Sequence, residues 1–251
     1  MGLYFLSQGA GLRASEIVYD RAASAFADAA PEVFDWDRLL DGASRLHLSG
    51  ITPALGPGPA RAALAAASTA ARQGIPVSLD GNYRAKLWES WDSNPRAILT
   101  DLVGHADILF GNHRDIALLL GQTFSGDSEE RRREAANAAF AAFPELRLIA
   151  STARSIASAE CHRIAARIDA RDRAVQSAEI SVSGIIDRIG TGDAFAAGVL
   201  HGLGEHGDAI EQGVHAGLAL TVLKHALPGD SSLFRQVDID AFWAGGLDVR
   251  R

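Results

Sequence analysis

The stretch that decides the interpretation of this sequence is Asp187-Arg188-Ile189-Gly190-Thr191-Gly192-Asp193-Ala194-Phe195. Two glycines flank a small residue, an acid follows at once, and an Ala/Phe/Gly-rich helical segment begins behind it. Such a turn leaves backbone N–H groups free at a helix N-terminus, where the helix dipole favours an anion. Asp193 adds a carboxylate beside that anion site. An anion cradle next to a base is what phosphoryl transfer to a hydroxyl requires.

A simpler interpretation of the same stretch stays open. A Gly-x-Gly sequence before a helix also forms ordinary tight turns, in which Asp193 would only cap the helix. The rest of the chain has to distinguish a capped turn from an anion site.

The composition indicates a globular protein with a core and an excess of acidic groups. Of 251 residues, 47% are hydrophobic and 22% are charged, and the formal net charge is −7. Nucleic acids and anionic membranes attract clustered Lys and Arg, so we expect neither as a partner. The basic run Arg131–Arg133 has glutamates on both sides and is predicted to be a solvated helix face.

Cysteine usage and hydropathy point to the cytoplasm. The single cysteine, Cys161, cannot form an internal disulfide. The first residues show no basic segment followed by a sustained apolar run, as a secretory signal would. No apolar run reaches the ~18 residues that a membrane-spanning helix needs.

Apolar runs alternate with turns and helical patterns through the first half of the chain. We predict strands over residues 46–51, 75–80, 107–112 and 147–151, with helices over 60–73 and 114–120 among the segments between them. This alternation favours a mostly parallel sheet with helices on both faces. Ligands bind beyond the C-terminal ends of such strands, where Asp80, Asn82, Arg84 and Asn112 fall.

The two ends of the chain follow other patterns. Two strands are predicted over 164–168 and 174–182, followed by helices over about 191–203 and 208–226. At the start, residues 2–6 and 17–21 look like two short strands separated by Gly9-Ala10-Gly11. We interpret this opening pair as a flap that lies outside the core.

Several blocks of the sequence together resemble one known family. The 187–195 stretch resembles the signature of the ribokinase-like (PfkB) sugar kinases, Asp-Thr-x-Gly-Ala-Gly-Asp-x-Phe, with Arg188 and Thr191 as departures. Arg188 is typical of the 2-keto-3-deoxygluconate kinase branch. The same branch is similar in four further blocks: Asp80-Gly81-Asn82-Tyr83-Arg84, Ser49-Gly50-Ile51, Gly2-Leu3-Tyr4-Phe5 and Val18-Tyr19-Asp20-Arg21.

The resemblance implies a fold and a domain arrangement. We expect a ribokinase-like three-layer α/β/α sandwich with a mostly parallel sheet and a small β lid. Residues 1–22 would form part of the lid and residues 23–251 the α/β kinase core. Full-length relatives have a first strand, flap strands and a Gly-Gly substrate loop before anything like Gly2-Leu3-Tyr4. We therefore expect this architecture to be incomplete at its N-terminus.

The resemblance also implies an activity. In the family a sugar acid, 2-keto-3-deoxygluconate, is phosphorylated by ATP with Mg²⁺ on its terminal hydroxyl. Asp193 matches the catalytic base, and Gly190, Thr191 and Gly192 match the anion hole. In relatives the region of Asp187 can hold a monovalent cation. Flap strands in this fold often pair between subunits, which suggests a homodimer through the lid.

Further residues are assigned to ligands by the same resemblance. Those implied to contact the sugar acid are Tyr4, Tyr19, Arg21, Ile51, Arg84 and Asp230. Asn112 and Asp115 occupy an Asn-x-x-Glu position that helps to place Mg²⁺ and the phosphates together with Gly190 and Gly192. Asp115 replaces the usual Glu and is shorter by one methylene group.

Structural alternatives to these assignments stay open. The tyrosines could serve strand packing, Arg84 could be a surface residue, and Asn112 with Asp115 could simply start a helix. The competing functions are a kinase for another deoxy sugar acid or an inositol breakdown product, and a truncated pseudo-kinase without activity. An NAD-binding domain is disfavoured because the glycine motif comes late in the chain.

Overall fold

A computed structural model describes residues 2–21, 23–205 and 209–245 of the chain. It divides into two compact units. The first unit comprises Met1–Phe5, Val18–Ala150 and Asp169–Arg173, and the second comprises Leu6–Ile17, Ser151–Ile168 and Ala174–Arg251.

The two predicted opening strands are present. β1 (Leu3–Ser7) and β2 (Glu16–Asp20) form a separate two-stranded sheet, as expected for a flap. An isolated bridge between Ala10 and Arg13 closes the turn that the glycines predicted. The boundary between lid and core at residues 22 and 23 stays a prediction.

Parallel strands organise the first unit. β3 (Leu46–Ser49), β4 (Val77–Asp80), β5 (Ile108–Phe110) and the start of β6 (Leu148–Ser158) lie side by side in that order. The register places Leu48 opposite Leu79, and Leu79 opposite Leu109. The four predicted strands are confirmed. They could be recognised because strands covered on both faces form short, continuous apolar runs.

Helices alternate with these strands and bury small or aliphatic side chains against them. The α-helices of the first unit are α1 (Trp36–Leu39), α2 (Ile51–Ala54), α3 (Pro57–Arg72), α4 (Ala85–Trp88), α5 (Pro95–Gly104), α6 (His113–Leu120) and α7 (Glu129–Ala142), and a 3-10 helix spans Pro31–Val33. α3 packs on β3 and β4, and its fully buried Ala67 and Ala70 belong to the same core cluster as Val77 and Leu79 of β4. Methyl side chains allow the close approach that a helix on a sheet requires.

The C-terminal ends of the parallel strands share one edge. The ladder continues one step past each strand: Gly50 N–H donates to Asp80 O at 2.7 Å, and Gly81 N–H donates to Phe110 O at 2.9 Å. Gly111 N–H likewise donates to Ala150 O at 3.0 Å. The loops after β3, β4 and β5 therefore leave the sheet at one level.

The second unit continues β6 into an antiparallel arrangement. β7 (Cys161–Ala170) lies between β6 and β8 (Ala174–Gln176), and β9 (Ile180–Ser183) pairs with β7 antiparallel. The single strand predicted over 174–182 is two strands. Ser177 separates them, because its N–H donates to Ala166 O and its hydroxyl accepts from Ala166 N–H, both at 2.9 Å.

Two long helices pack closely in the second unit. α8 (Thr191–Glu205) and α9 (Ile210–Lys224) confirm the two predicted helices, although the expected start at Asp208 lies outside the described residues. A Cβ atom at Gly198 would lie 2.5 Å from Ala216 O, so glycine permits this approach. α10 (Gln236–Trp243) adds Ile239 to their core. No described helix is long and apolar enough to cross a membrane.

Candidate active site

The signature loop of the second unit has a backbone shape that only glycine fits at position 190. Gly190 has φ +74°, in the left-handed region. A Cβ atom there would lie 1.9 Å from the carbonyl oxygen of Asp230. The loop before α8 is thus packed directly against the turn that follows α9. This contact places the backbone of Asp230, a predicted substrate residue, beside the signature.

The N-terminus of α8 has amide groups available for a ligand. Within the described part of the chain, the N–H groups of Gly192 and Asp193 have no hydrogen-bond acceptor, whereas Ala194 N–H donates to Gly190 O at 2.8 Å. A Cβ atom at Gly192 would meet nothing within 4 Å, and the Asp193 side chain is exposed. Free donors, open space and an exposed carboxylate at a helix N-terminus can bind an anion beside a base.

Thr191, the departure from the usual alanine, is held by the loop itself. Its hydroxyl donates to Arg188 O at 3.0 Å, and its own carbonyl accepts from the Thr221 hydroxyl at 3.3 Å. Thr191 N–H has only a long contact of 3.4 Å to Arg188 O. The added side chain therefore braces the turn and leaves the neighbouring amides free.

Asp187 ties the two loops of this unit together. Its side chain is buried, with one oxygen accepting from Ile189 N–H and the other from Gly229 N–H, each at 2.9 Å. Nearby, the buried Lys224 ammonium donates to Leu227 O at 2.9 Å. No group of three metal-ligating side chains occurs among the described residues. The assignment of Asp187 to a monovalent-cation site stays a prediction.

In the first unit the loops after β3 and β4 form one hydrogen-bonded group. Asn82 N–H donates to the Asp80 carboxylate at 3.0 Å, and the Asn82 side-chain amide donates to the Ser49 hydroxyl at 3.1 Å. The same hydroxyl accepts from Ile51 N–H at 3.3 Å. A Cβ atom at Gly50 would overlap Gly81 O at 2.1 Å, so the two loops touch directly.

Asn82 has a strained backbone conformation that the sequence did not predict. Its φ is +40°, and it alone among the described non-glycine residues has positive φ. Such strain persists where surrounding contacts enforce it, and it is concentrated at ligand-binding sites. Asparagine tolerates this region better than most residues. Its position in the Asp80-Gly81-Asn82 turn was the available sequence signal.

Arg84 is exposed at the start of α4, just beyond this strained turn. Its guanidinium donates to the carbonyl of Tyr83 at 3.0 Å and forms no ion pair with a carboxylate among the described residues. A guanidinium held in this way has further N–H donors directed to solvent, suited to a carboxylate ligand.

The start of α6 shows how Asn112 and Asp115 interact. They form a capping box in which the Asn112 side chain accepts from Arg114 N–H at 2.9 Å and Asp115 accepts from Asn112 N–H at 2.8 Å. Burial raises the pKa of the Asp115 carboxyl, although these backbone hydrogen bonds and nearby Arg84 act against the increase. Asn112 and Asp115 therefore do start a helix, as the structural alternative expected. Their part in ligand binding stays a prediction.

Glycines make room for the Asp115 carboxylate. Cβ atoms at Gly81 and Gly111 would lie 3.1 Å and 3.2 Å from atoms of its side chain. The Asp80–Arg84 loop and the start of α6 are thus in contact through Asp115.

Residues of and beside the opening two-stranded sheet also contact one another. The Arg21 guanidinium carbon lies 4.0 Å from the centre of the Tyr19 ring, in a cation–π contact. Tyr19 is half-exposed on β2, and Tyr4 is partly buried on β1. The structure thus brings Tyr19 and Arg21 together. Packing on the strand buries only about half of the Tyr19 side chain, and the rest faces solvent.

Comparison with known proteins identifies the family. Residues 1–229 match the pfkB family of carbohydrate kinases. The chain belongs to this family. The enzyme class that the 187–195 signature predicted, a carbohydrate kinase, is therefore confirmed.

Individual PfkB relatives agree with this assignment. The 2-dehydro-3-deoxygalactonokinase of Haloferax volcanii is 28% identical over 245 residues, which cover 98% of this chain and 71% of the relative. The crystal structure of 2-dehydro-3-deoxygluconokinase from Thermotoga maritima has a TM-score of 0.89 at 32% identity, covering 98% of this chain and 73% of that one. A PfkB family carbohydrate kinase from Listeria grayi has a TM-score of 0.87 at 31% identity, covering 97% and 73%. The ribokinase-like α/β fold is confirmed.

Proposed function

We propose that this PfkB kinase transfers the terminal phosphoryl group of ATP to the terminal hydroxyl of a sugar acid. The expected substrate is 2-keto-3-deoxygluconate, also called 2-dehydro-3-deoxygluconate, and the product is its 6-phosphate. The observation that carries the proposal is the N-terminus of α8, where free amides of Gly192 and Asp193 adjoin the exposed Asp193 carboxylate. The Thermotoga and Haloferax relatives, named for kinases of such acids, support the substrate class.

The proposed chemistry assigns distinct roles to the residues of the signature loop. Asp193 accepts the proton of the attacking hydroxyl, which makes the oxygen a better nucleophile for in-line attack on phosphorus. The amides of Gly190, Thr191, Gly192 and Asp193 stabilise the negative charge on the transferred phosphoryl oxygens. Asp187 holds the loop in shape through its two backbone hydrogen bonds.

The residues of the first unit are proposed to recognise the sugar acid. Arg84 binds its carboxylate, because a guanidinium offers two parallel N–H donors to such a group. Tyr4, Tyr19, Arg21 and Ile51 are proposed to contact the rest of the sugar chain. Asp230, in the turn beside Gly190, is proposed to accept a hydrogen bond from a sugar hydroxyl.

Mg²⁺ fits the residues at the start of α6. Asn112 and Asp115 present only oxygen ligands, which Mg²⁺ prefers. The single side-chain oxygen of Asn112 and one of the two Asp115 carboxylate oxygens already accept a backbone N–H, so both residues would act through water molecules that the ion retains. When bound, Mg²⁺ neutralises charge on the phosphates.

A coupled assay of ATP turnover against a panel of sugar acids tests the reaction. Wild-type protein should phosphorylate 2-keto-3-deoxygluconate, and Asp193→Asn should lower kcat by about 10²- to 10⁴-fold. Turnover that persists in Asp193→Asn would refute the assigned base. Preference for the galacto epimer would support the second candidate substrate, which the Haloferax relative suggests.

Arg84 can be tested separately from the chemistry. Arg84→Ala should raise KM for the sugar acid by about ten- to a hundredfold, as expected for loss of a charged hydrogen bond. KM for ATP should be unchanged. Lys86→Ala, which removes an exposed charge from α4, is the matched control and should leave both constants unchanged. Equal effects of the two variants would contradict the role of Arg84.

We further propose that two copies associate through the lid in the cytoplasm. Exposed apolar residues on β1 and β2 support this, namely Leu3, Phe5, Val18 and Tyr19. Light scattering of wild-type protein and of Phe5→Ser tests the association, and a wild-type monomer at all concentrations would contradict it.

A further inference from the structure

A fully buried lysine lies at the end of α9 in the second unit. Lys224 is the last residue of this helix, and it is 0% exposed. Its ammonium nitrogen donates to Leu227 O at 2.9 Å, at the start of the turn over residues 227–230, and Leu227 N–H donates back to Lys224 O at 3.1 Å. Among the described residues, no carboxylate forms an ion pair with this ammonium. The charge therefore lies at the negative end of the α9 dipole, bonded to a carbonyl group instead of an acid.

The use of lysine at this position is unusual within the sequence. The chain contains twenty-two arginines and two lysines, Lys86 and Lys224. Lys86 is exposed on α4. A guanidinium is a planar fork with five donors, whereas an ammonium is a compact point charge with three. A buried position that carries lysine in such an arginine-rich chain therefore indicates a site shaped for a small cation.

The turn that the ammonium anchors also contacts the signature loop at two points. Gly229 N–H donates to the Asp187 carboxylate at 2.9 Å. The Asp230 carbonyl occupies the space beside Gly190, where a Cβ atom would overlap it. The contacts thus run from Lys224 through this turn to the loop that precedes the N-terminus of α8.

The end of α9 is bonded directly to the same loop as well. The His225 carbonyl accepts from Ile186 N–H at 2.9 Å and from Asp187 N–H at 3.3 Å. One helical turn earlier, the Thr221 hydroxyl donates to Thr191 O at 3.3 Å. Backbone and hydroxyl groups therefore join α9 to the signature loop, and Lys224 contributes a positive charge inside this junction.

The same contacts occupy oxygen atoms that a monovalent cation beside Asp187 would need. Such an ion exchanges its water shell for several oxygen ligands. Both Asp187 oxygens accept backbone N–H groups, and Leu227 O accepts from the ammonium. A second cation on that carbonyl would meet the like charge of the ammonium. The residues present therefore fit the ammonium and not a bound ion.

We propose that Lys224 is a positioning residue that acts as an internal cation. Its ammonium fixes the turn over residues 227–230 and, through this turn, the amides at the N-terminus of α8, in place of a bound monovalent ion. This inference rests on the proposed kinase function, because those amides are the groups assigned to the transferred phosphoryl group. A charge tethered to α9 does not have to be bound from solution. Phosphoryl transfer by this chain should therefore not depend on K⁺ or Na⁺.

Exchange of salts tests the proposal on the wild-type protein. Turnover of 2-keto-3-deoxygluconate, with the phosphorylated product measured directly, should be equal in KCl, NaCl and tetramethylammonium chloride at one ionic strength. The thermal unfolding midpoint should be equal in the three salts as well. A requirement for K⁺ or Na⁺, or a midpoint raised by one of them alone, would overturn the proposal.

Removal of the charge tests the residue itself. Lys224→Met keeps an unbranched side chain and should lower kcat by about ten- to a hundredfold, as expected for loss of a charge-assisted hydrogen bond. Its urea midpoint should stay near that of the wild type, because the cost of burying an ammonium disappears together with its bond. Lys86→Met, at the exposed lysine, is the matched control and should leave kcat unchanged. Wild-type kcat in Lys224→Met, or a loss explained by unfolding alone, would refute the positioning role.

Hydrogen–deuterium exchange reports on the loop without requiring turnover. In Lys224→Met, peptides covering residues 186–193 and 226–231 should exchange about tenfold faster, whereas peptides from β3, β4 and β5 should be unchanged. Lys224→Ala opens space beside Leu227 O. In this variant ammonium chloride should slow the exchange toward the wild-type rate, relative to tetramethylammonium chloride. Wild-type exchange in both variants would contradict the proposed contact path.

The outcomes distinguish this inference from the proposed function. Turnover that requires Asp193 but survives Lys224→Met would refute the internal cation and leave the kinase reaction intact. Faster exchange of the loop in Lys224→Met, without turnover of any sugar acid by the wild type, would support the role of Lys224 in the loop and refute the proposed reaction.

Discussion

At the scale of single residues, the signature loop requires that position 190 carry no side chain. The Cα hydrogen of Gly190 occupies the place that a Cβ atom would take. It faces the Asp230 carbonyl in a contact that leaves no space for a methyl group. Gly192, two residues on, faces open space. The two glycines of the signature therefore differ in their structural role: Gly190 permits loop packing, whereas the position of Gly192 leaves open space beside the loop.

This difference predicts opposite stability effects for two alanine substitutions. Gly190→Ala should lose at least about 2 kcal/mol of unfolding free energy, because it combines strained φ with a backbone overlap. Gly192→Ala should change stability by less than about 0.5 kcal/mol. Both should lose activity, since a methyl group at position 192 would intrude on the anion site. Urea unfolding and the kinase assay provide the measurements, and equal stability of the two variants would contradict this account.

At the scale of elements, the start of α6 combines two uses of one carboxylate. Asp115 completes the capping box and lines a small apolar cavity with Leu79, Leu109 and Leu119. The cap alone would be served by an uncharged acceptor. Burial in this apolar setting raises the pKa of the carboxyl and so disfavours its ionised form, which makes the charge itself the property to test.

Two substitutions at Asp115 distinguish its role as a helix cap from any role of its negative charge. Asp115→Ala should cost about 1 kcal/mol, the usual value of a helix cap. Asp115→Asn keeps an acceptor oxygen and should retain most of the stability, yet it should lower kcat and raise the Mg²⁺ concentration needed for activity. Chemical denaturation and a Mg²⁺ titration test this. Wild-type Mg²⁺ dependence in Asp115→Asn would assign the residue to the cap alone.

The elements that the sequence predicted well are those with a local cause. β3, β4 and β5 are apolar runs that end in turn residues, and α6 has Asn112 as its cap. The break at Ser177 was not predicted, because it depends on a pairing with Ala166 on another strand. Likewise, the predicted solvated face at Arg131–Arg133 is correct for Arg131, which pairs with exposed Glu134. Arg133 instead reaches Asp169, a contact distant in sequence.

Site residues follow the same rule. The glycine turn before α8 could be predicted because its chemistry is contained in consecutive residues, Gly190 to Asp193. The strain at Asn82 and the edge-to-face contact between the His162 and His225 rings could not, since each arises from separate segments that meet only in the fold.

At the scale of the whole molecule, His162 links folding to pH. Its pKa is about 4 in the folded state, under the influence of burial, Arg188, Arg154 and His225, and near 6.5 when unfolded. Between these values the unfolded chain binds the extra proton. Stability from the neutral histidine is therefore complete above about pH 6.5 and is lost as pH falls toward 4.

Replacement of His162 should weaken the dependence of the unfolding free energy on pH below about pH 6.5. His162→Leu should unfold with a weaker pH dependence between pH 6.5 and 4.5, where each pH unit costs the wild type up to about 1.4 kcal/mol through this group. Urea unfolding at several pH values measures the slope. His201→Leu, at a surface position on α8, serves as the control, and an unchanged slope in His162→Leu would contradict the assignment.

The contact between Gly190 and the Asp230 carbonyl also constrains how this enzyme can be engineered. A chimera that imports the 187–193 segment from a homologous kinase would inherit a loop shaped for a different partner turn. Segments 187–193 and 227–230 should therefore be exchanged as one cassette, with Asp187 and Gly229 kept from the same parent.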